Sequence, residues 1–288
     1  LQTYSEDGRS AITANHYNFN QLAALYNQSR VDYIVPMPMN GKRMAEYVQY
    51  YDVDLQSSFI SLNQENQETG VGLLGVRGDR SWVTRLGVIP ERRGKKVGQY
   101  LMELLLIESE RLGIRRVQLE VIVGNDPAYQ LFQKLGFREE RELHVIRRPP
   151  SVPGPELEIP NAKIYELDET EIPDYLAQRD FEHLTWVDEN ASLLNTGSLR
   201  GYGVELPSGE DGWLIFQRTP FQMTHFAFSS NISERALQAL LYSLHTEYSM
   251  QDTKIENHPV DSPLWYVFER MGYLEVFRRI EMYLYLNP

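Results

Sequence analysis

Along the chain of 288 residues the apolar positions change period several times, and each change marks an element boundary. Over 81–89, Trp82, Thr84, Leu86 and Val88 alternate with Val83, Arg85, Gly87 and Ile89 until Pro90 stops the run, which predicts a strand. From Gly98 the spacing turns helical at Leu101, Leu104, Leu105 and Leu112, and Gly113 is placed to end the helix. The join, Arg92-Arg93-Gly94-Lys95-Lys96-Val97-Gly98, is a basic glycine turn between a strand and a helix N-terminus. Such a turn leaves N–H groups unpaired at the positive end of the helix dipole. Four cationic side chains in five positions add to its attraction for a phosphate or pyrophosphate.

Before this segment the pattern predicts a strand over 11–14, a helix over 19–28 with Leu22 and Leu25 on one side, and a helix from Asn40 to about Tyr51. Between the helices, Pro36 and Pro38 forbid regular helix across 31–40. Residues 57–62, 70–77 and 81–89 read as successive antiparallel strands, with Gly78-Asp79 turning the last pair. After the glycine turn come a helix over 98–112, a strand over 116–123, a helix over 127–135 and a strand over 137–147. The proline-rich stretch around 149–156 then breaks all periodicity and reads as a domain linker.

The second half repeats the first. Sliding the chain by 136 residues lays Leu101, Leu104 and Leu105 on Leu237, Leu240 and Leu241, and Glu120 on Glu256. In the same register Pro127, Phe132, Lys134, Gly136 and Phe137 meet Pro263, Phe268, Arg270, Gly272 and Tyr273. One register carrying so many packing positions predicts two copies of one unit. The copies part at the basic turn. There the second reads Phe228-Ser229-Ser230-Asn231-Ile232-Ser233-Glu234, without glycine and with an acid where a phosphate would lie. The phosphate site is therefore expected in the first copy alone.

The segment from Leu86 to Gly98 resembles the acyl-CoA-binding segment of the GNAT (GCN5-related) N-acetyltransferases, whose signature is R/Q-x-x-G-x-G/A. Counted from Arg93, Lys96 stands where a glycine is usual and Gly98 keeps the last small residue. The stretch LEVIVGNDPAYQLFQKLGF, Leu119 to Phe137, is similar to the family's next segment. The resemblance implies an α/β (α+β) protein of two tandem GNAT-like domains, each a mixed, mostly antiparallel sheet flanked by helices. The expected boundaries are 1–148 and 157–288, with 149–156 as linker.

The resemblance also implies roles. Arg93, Gly94, Lys95, Lys96, Val97 and Gly98 would hold the diphosphate. Leu86, Gly87 and Val88 would offer backbone groups to pantetheine and the acyl carbonyl, or else simply pair in the sheet. Asn125 and Phe132 would also contact the cofactor. Glu120 lies where some members place a general base, with a structural hydrogen-bonding role as the alternative. Phe132 occupies the usual place of a tyrosine acid and cannot donate a proton, so Tyr129, one turn earlier, is the candidate acid unless it merely packs on the sheet. Tyr33, Met37 and Met39 lie in the connection that walls the acceptor pocket in the family, or form a loop packed on the sheet.

Composition narrows the chemistry. With no cysteine, disulfides, thiolate metal sites and an acyl-cysteine intermediate are excluded. The six histidines stand singly without metal-ligand spacing, so no metal is expected. No apolar run approaches the roughly 20 residues of a membrane span, and a cytoplasmic protein is expected. The net charge of −12 is uneven: residues 1–150 hold 19 Lys and Arg against 18 Asp and Glu, and the remainder hold 9 against 22. That balance disfavours nucleic acid as a partner and suits a cationic acceptor, or reflects a solvated acidic surface. The expected function is acyl-CoA-dependent N-acylation, moving acetyl from acetyl-CoA to the amine of a small molecule or peptide by direct attack in a ternary complex. The alternative is a catalytically silent acyl-CoA-binding or regulatory protein.

Overall fold

The structure, a computed structural model, describes residues 4–6 (backbone alone), 9–154, 159–180 and 183–286. Two compact units emerge. One is Leu1–Glu140 with Ile280–Pro288, and the other is Arg141–Arg279. These differ from the boundaries expected at 148 and 157: residues from Arg141 go with the second unit and those from Ile280 go with the first. Hydrophobic period distinguishes strand from helix but carries no information about which sheet a strand joins. The proline-rich stretch consequently lies within the second unit, residues 155–156 of it being outside the described ones.

The first unit runs β1 (Tyr4–Glu6), β2 (Arg9–Thr13), α1 (Phe19–Gln28), α2 (Gly41–Tyr50), β3 (Phe59–Leu62), β4 (Glu68–Arg77), β5 (Arg80–Val88), α3 (Val97–Arg111), β6 (Arg116–Ile122) and α4 (Asp126–Lys134). β1 to β5 pair antiparallel in sequence order, and β6 joins β5 in parallel. Asn18 and Asn40 cap α1 and α2 by accepting from Gln21 N and Arg43 N, as their side-chain chemistry favours. Along β5, successive side chains face opposite ways. Val83 joins the core with Leu101, Leu104 and Leu105 of α3, whereas Trp82 lies against Tyr47 of α2, with ring centroids 6.0 Å apart. The sheet is thus covered by α3 on one face and α2 on the other.

The second unit holds β7 (Arg138–Arg148) from Arg141 onward, then β8 (Lys163–Glu166), α5 (Ile172–Ala177), α6 (Asn190–Asn195), β9 (Leu199–Glu205), β10 (Asp211–Arg218), β11 (Gln222–Phe228), α7 (Glu234–Glu247), β12 (Asp252–Pro259) and α8 (Trp265–Arg270). β13 (Leu274–Tyr285) belongs to it up to Arg279 and to the first unit from Ile280. The repeat read from sequence carries the packing in both units. Leu101, Leu105, Leu237, Leu240 and Leu241 are fully buried, and Phe132 and Phe137 match the buried Phe268 and Tyr273. Gly136 and Gly272 share a left-handed φ, 95° and 85°.

Two further features recur. In each unit one residue of a strand faces two of the next: Val71 and Leu73 pair with Gly87 and Thr84, leaving Gly72 opposite Arg85 and Leu86, and Ile215 and Gln217 pair with Ala227 and Thr224, leaving Phe216 opposite His225 and Phe226. The bulges carry Arg85 and His225 at φ 51° and 54°. In each unit the following parallel pair then separates. β5 and β6 pair only at Arg80, Ser81 and Trp82, and β11 and β12 only at Gln222 and Met223.

Met282 is fully buried in the core of the first unit although it lies near the end of the sequence. Met282→Ala should cost about 2–5 kcal/mol, as loss of a buried methionine side chain does. Hydrogen exchange should report the loss in β6 and not in β12. Equal loss of protection in both strands would contradict the assignment of residues 280–288 to the first unit.

Candidate functional site

The glycine turn forms as its residues require. Pro90–Arg92 make one 3-10 turn, Gly94 takes φ 74°, and Lys96 takes φ 58° immediately before α3. Lys96 gives α3 no side-chain cap, so the first-turn N–H groups of the helix are left for an outside acceptor. A Cβ at Gly98 would meet only Val88 and Leu131, at 3.5 and 3.6 Å, so the protein's own packing does not demand a glycine there.

The cations divide by role. Lys95 and Lys96 are exposed. Arg93 instead clasps Asp32 with both terminal nitrogens at 2.7 Å and donates to the carbonyls of Ser29 and Val88. The pair pushes Arg93 up and holds Asp32 below the usual carboxylate range. Arg93 thus fastens the α1–α2 connection to the turn. Arg9, which sequence reading overlooked, donates to the carbonyls of Lys95 and Lys96 at 3.4 and 3.3 Å and lies over the Tyr100 ring. A separation of more than 80 residues offers no sequence signal for that contact.

Gly87 and Val88 pair with Val71 and Gly70 of β4, while their other edge lies beyond the end of the β5–β6 ladder. A Cβ on Gly87 would come within 2.1 Å of Ser29 Oγ, so the chain needs glycine at this close approach. Leu86 packs toward the α3 core. Asn125 donates from Nδ2 to the Tyr33 hydroxyl at 2.7 Å, joining two of the predicted residues. Phe132 is buried 6.0 Å from Phe137 as a core residue. The Tyr129 hydroxyl donates to Glu139 and accepts from Gln133 Nε2 at 2.7 Å, and the Glu139 bond pushes it up.

Under α1 and α2 lies a third group. Glu120 Oε2 accepts from Trp82 Nε1 at 2.8 Å. The Tyr47 and Thr84 hydroxyls meet at 2.5 Å, and burial pushes Tyr47 up to about 12. Met37 Sδ is 3.9 Å from Arg85, and the Met39 backbone is clamped by Asn27 at 2.8 and 2.9 Å. The structure therefore brings Glu120, Tyr33, Met37 and Asn125 to the face under α1 and α2 or to the strand end beside it. It leaves Phe132 in the core.

The second unit has the same separation of strands without the turn. Ser229–Ser233 replace the longer loop, and the Ser233 side chain accepts from Ala236 N, closing the N-terminus of α7 from within. A cleft of about 740 Å³ opens there, lined by Phe226, Phe228, Arg179, Asp188, Glu256 and His258. Glu256 bonds Lys254 at 2.6 Å and Arg279 at 2.8 Å. Burial raises it, but the two cations together hold it well below the usual carboxylate range. Burial also pushes Asp188 up to about 7. Among the described residues no three His, Cys, Asp or Glu are grouped to hold a metal, and no helix is long and apolar enough to cross a membrane.

Comparison with solved structures identifies the architecture. A GCN5-related N-acetyltransferase from Sphaerobacter thermophilus superposes with TM-score 0.75 at 15% identity, over 98% of this chain and 97% of that one. A tandem GNAT protein from the clavulanic acid biosynthesis pathway gives 0.64 at 14%, over 97% and 98%. Saccharomyces cerevisiae N-myristoyltransferase with bound myristoyl-CoA gives 0.62 at 10%, over 98% and 83%. No curated protein matches the sequence. The chain has the GNAT fold in tandem. Residues 22–137 match the acetyltransferase (GNAT) family model.

Two outcomes test these local readings. Lys96→Gly should relieve the left-handed strain and change stability by no more than about 1 kcal/mol, in the stabilising direction, as thermal melting measures. The lowered Glu256 contributes stability above about pH 4, the ordinary carboxylate pKa, and that contribution disappears as pH falls through its folded value. Its side chain is one-third exposed. Glu256→Gln should accordingly cost about 1–3 kcal/mol at pH 7, with the difference narrowing as pH falls below the ordinary carboxylate range in chemical denaturation.

Proposed function

We propose that the first unit moves an acetyl group from acetyl-CoA to a primary amine by direct attack in a ternary complex. The observation that carries this reading is the contrast between two repeated helix starts. The N-terminus of α3 has no side-chain cap and stands beside exposed Lys95 and Lys96, whereas Ser233 caps α7. Only the first suits a diphosphate.

The reaction requires an uncharged amine, a held carbonyl and a protonated leaving group. Glu120 takes a proton from the ammonium, directly or through water, while Trp82 fixes the orientation of its carboxylate. The amine nitrogen attacks the thioester carbon, a C–N bond forms, and the C–S bond breaks. The electron pair leaves on sulfur, which takes up a proton as free CoA. Backbone groups of Leu86, Gly87 and Val88 lie where β5 has parted from β6, and Tyr33 and Asn125 flank the strand end. A thiolate is a good leaving group, so the transfer does not depend on Tyr129, whose hydroxyl serves Glu139. The silent acyl-CoA-binding reading is favoured by that engagement of Tyr129 and by the buried phenylalanine at position 132.

Acetyl-CoA should bind once per chain by calorimetry, and the double variant Gly94→Glu with Gly98→Glu should abolish binding. Glu120→Gln keeps the acceptor for Trp82 but not the basicity. Turnover should fall by roughly 10² with little change in acetyl-CoA affinity, and the loss should shrink at high pH, where the amine deprotonates unaided. A defect independent of pH would assign Glu120 a positioning role. Acetyl-CoA binding without CoA release from any amine would leave the silent reading.

A further inference from the structure

The cleft of about 740 Å³ in the second unit has no part in the transfer proposed above. It opens where β11 and β12 part after Met223 and Thr253, and the turn Trp186–Asp188 packs against both strands. Its volume falls within the range of small-molecule sites. Phe226 and Ile255 give it a buried apolar lining, with Phe228, Ile232 and Leu264 beside them. Ser233 caps the neighbouring start of α7, so the cleft lacks the open amides that suit a diphosphate.

Two polar groups of this lining are incompletely engaged. Asp188 Oδ2 accepts from Thr185 Oγ1 at 2.6 Å. Arg179 is near, but its guanidinium donates to the Asp188 carbonyl at 2.7 Å and to Asn190 Oδ1 at 3.2 Å, not to the carboxylate. Glu256 faces Asp188 from β12, itself paired with Lys254 and Arg279, and Arg141 faces it from β7. Burial and the Glu256 charge raise the Asp188 carboxyl to about 7, although Thr185, Arg179 and Arg141 pull the other way. A cation held directly at the carboxylate would reverse that balance. His258 lines the same cleft at 5% exposure, and its Nε2 has no hydrogen-bond partner among the described residues. Burial lowers it to about 4, so the ring is neutral and one of its nitrogens is an acceptor.

We propose that this cleft binds an organic ammonium ion, whose apolar part lies on Phe226, Phe228 and Ile255 and whose charge pairs with Asp188. The acidic surplus of residues 151–288 draws cations toward it. An anion would instead meet Asp188 and Glu256, and a neutral molecule would leave Asp188 without an ion pair. The inference uses no residue of the first unit and stands apart from the acetyl transfer.

The test is titration calorimetry of the full chain, without acetyl-CoA, using phenethylamine and its neutral and anionic counterparts, phenylethanol and phenylacetate. Phenethylamine should bind about tenfold more tightly than either. Its affinity should rise about tenfold from pH 6 to pH 8, because binding requires ionised Asp188 while the ammonium stays charged throughout. His183 and Asp180 also stand at the cleft, 4.0 Å apart, so Asp188→Asn is the reference: it should lose both the binding and its pH dependence. Phenethylamine held by the first unit survives in that variant and is subtracted with it. Asn231→Lys, at an exposed lining position, sets a cation against the ligand and should weaken binding about tenfold. Binding of phenylethanol or phenylacetate as tight as that of phenethylamine would overturn the inference. So would no heat with any of the three, or two variants that bind phenethylamine as the parent does.

Discussion

The separation of β5 from β6 is the constraint on which the site depends. The two strands share three ladder positions, ending at Trp82 and Gln118, and then diverge. Backbone groups in the middle of a sheet are ordinarily consumed by their neighbours, so a strand can offer them to another molecule only where a neighbour is missing. The divergence provides that place at Gly87 and Val88. The extra residue at Arg85 accompanies it, turning one side chain out of the ordinary alternation. Glu120 lies just past the last paired residue of β6 and keeps its carboxylate against Trp82.

The repeat shows how the same frame supports different local solutions. Glu120 and Glu256 share a register, yet one accepts from an indole and the other is held between Lys254 and Arg279. A carboxylate balanced by two cations is committed to its neighbours. The starts of α3 and α7 differ in the same sense. One leaves its amides open and the other closes them with Ser233. The shorter loop of the second unit brings a serine to the cap position, where the first unit has Lys96.

Much of this was legible from periodicity. The helix over 19–28 was read at its observed bounds, and most other elements of the first copy fell within one or two residues. Alternation and capping are local properties, so they survive in the sequence. The burial of Leu237, Leu240 and Leu241 agrees with the register found by sliding the chain. Long-range choices were not legible. The Arg93–Asp32 pair spans 61 residues, a separation that no short window of sequence covers. The partners of residues 141–148 and 280–285 were likewise outside the reach of any short window.

That last feature bears on how the protein is made. A ribosome that has released the first copy has not yet delivered the segment from Ile280 that completes the first unit. The glycine turn and its helix must therefore wait, with an incomplete core, through the synthesis of more than a hundred further residues. A cut at the proline-rich stretch would leave the first unit without the segment that carries Met282 into its core.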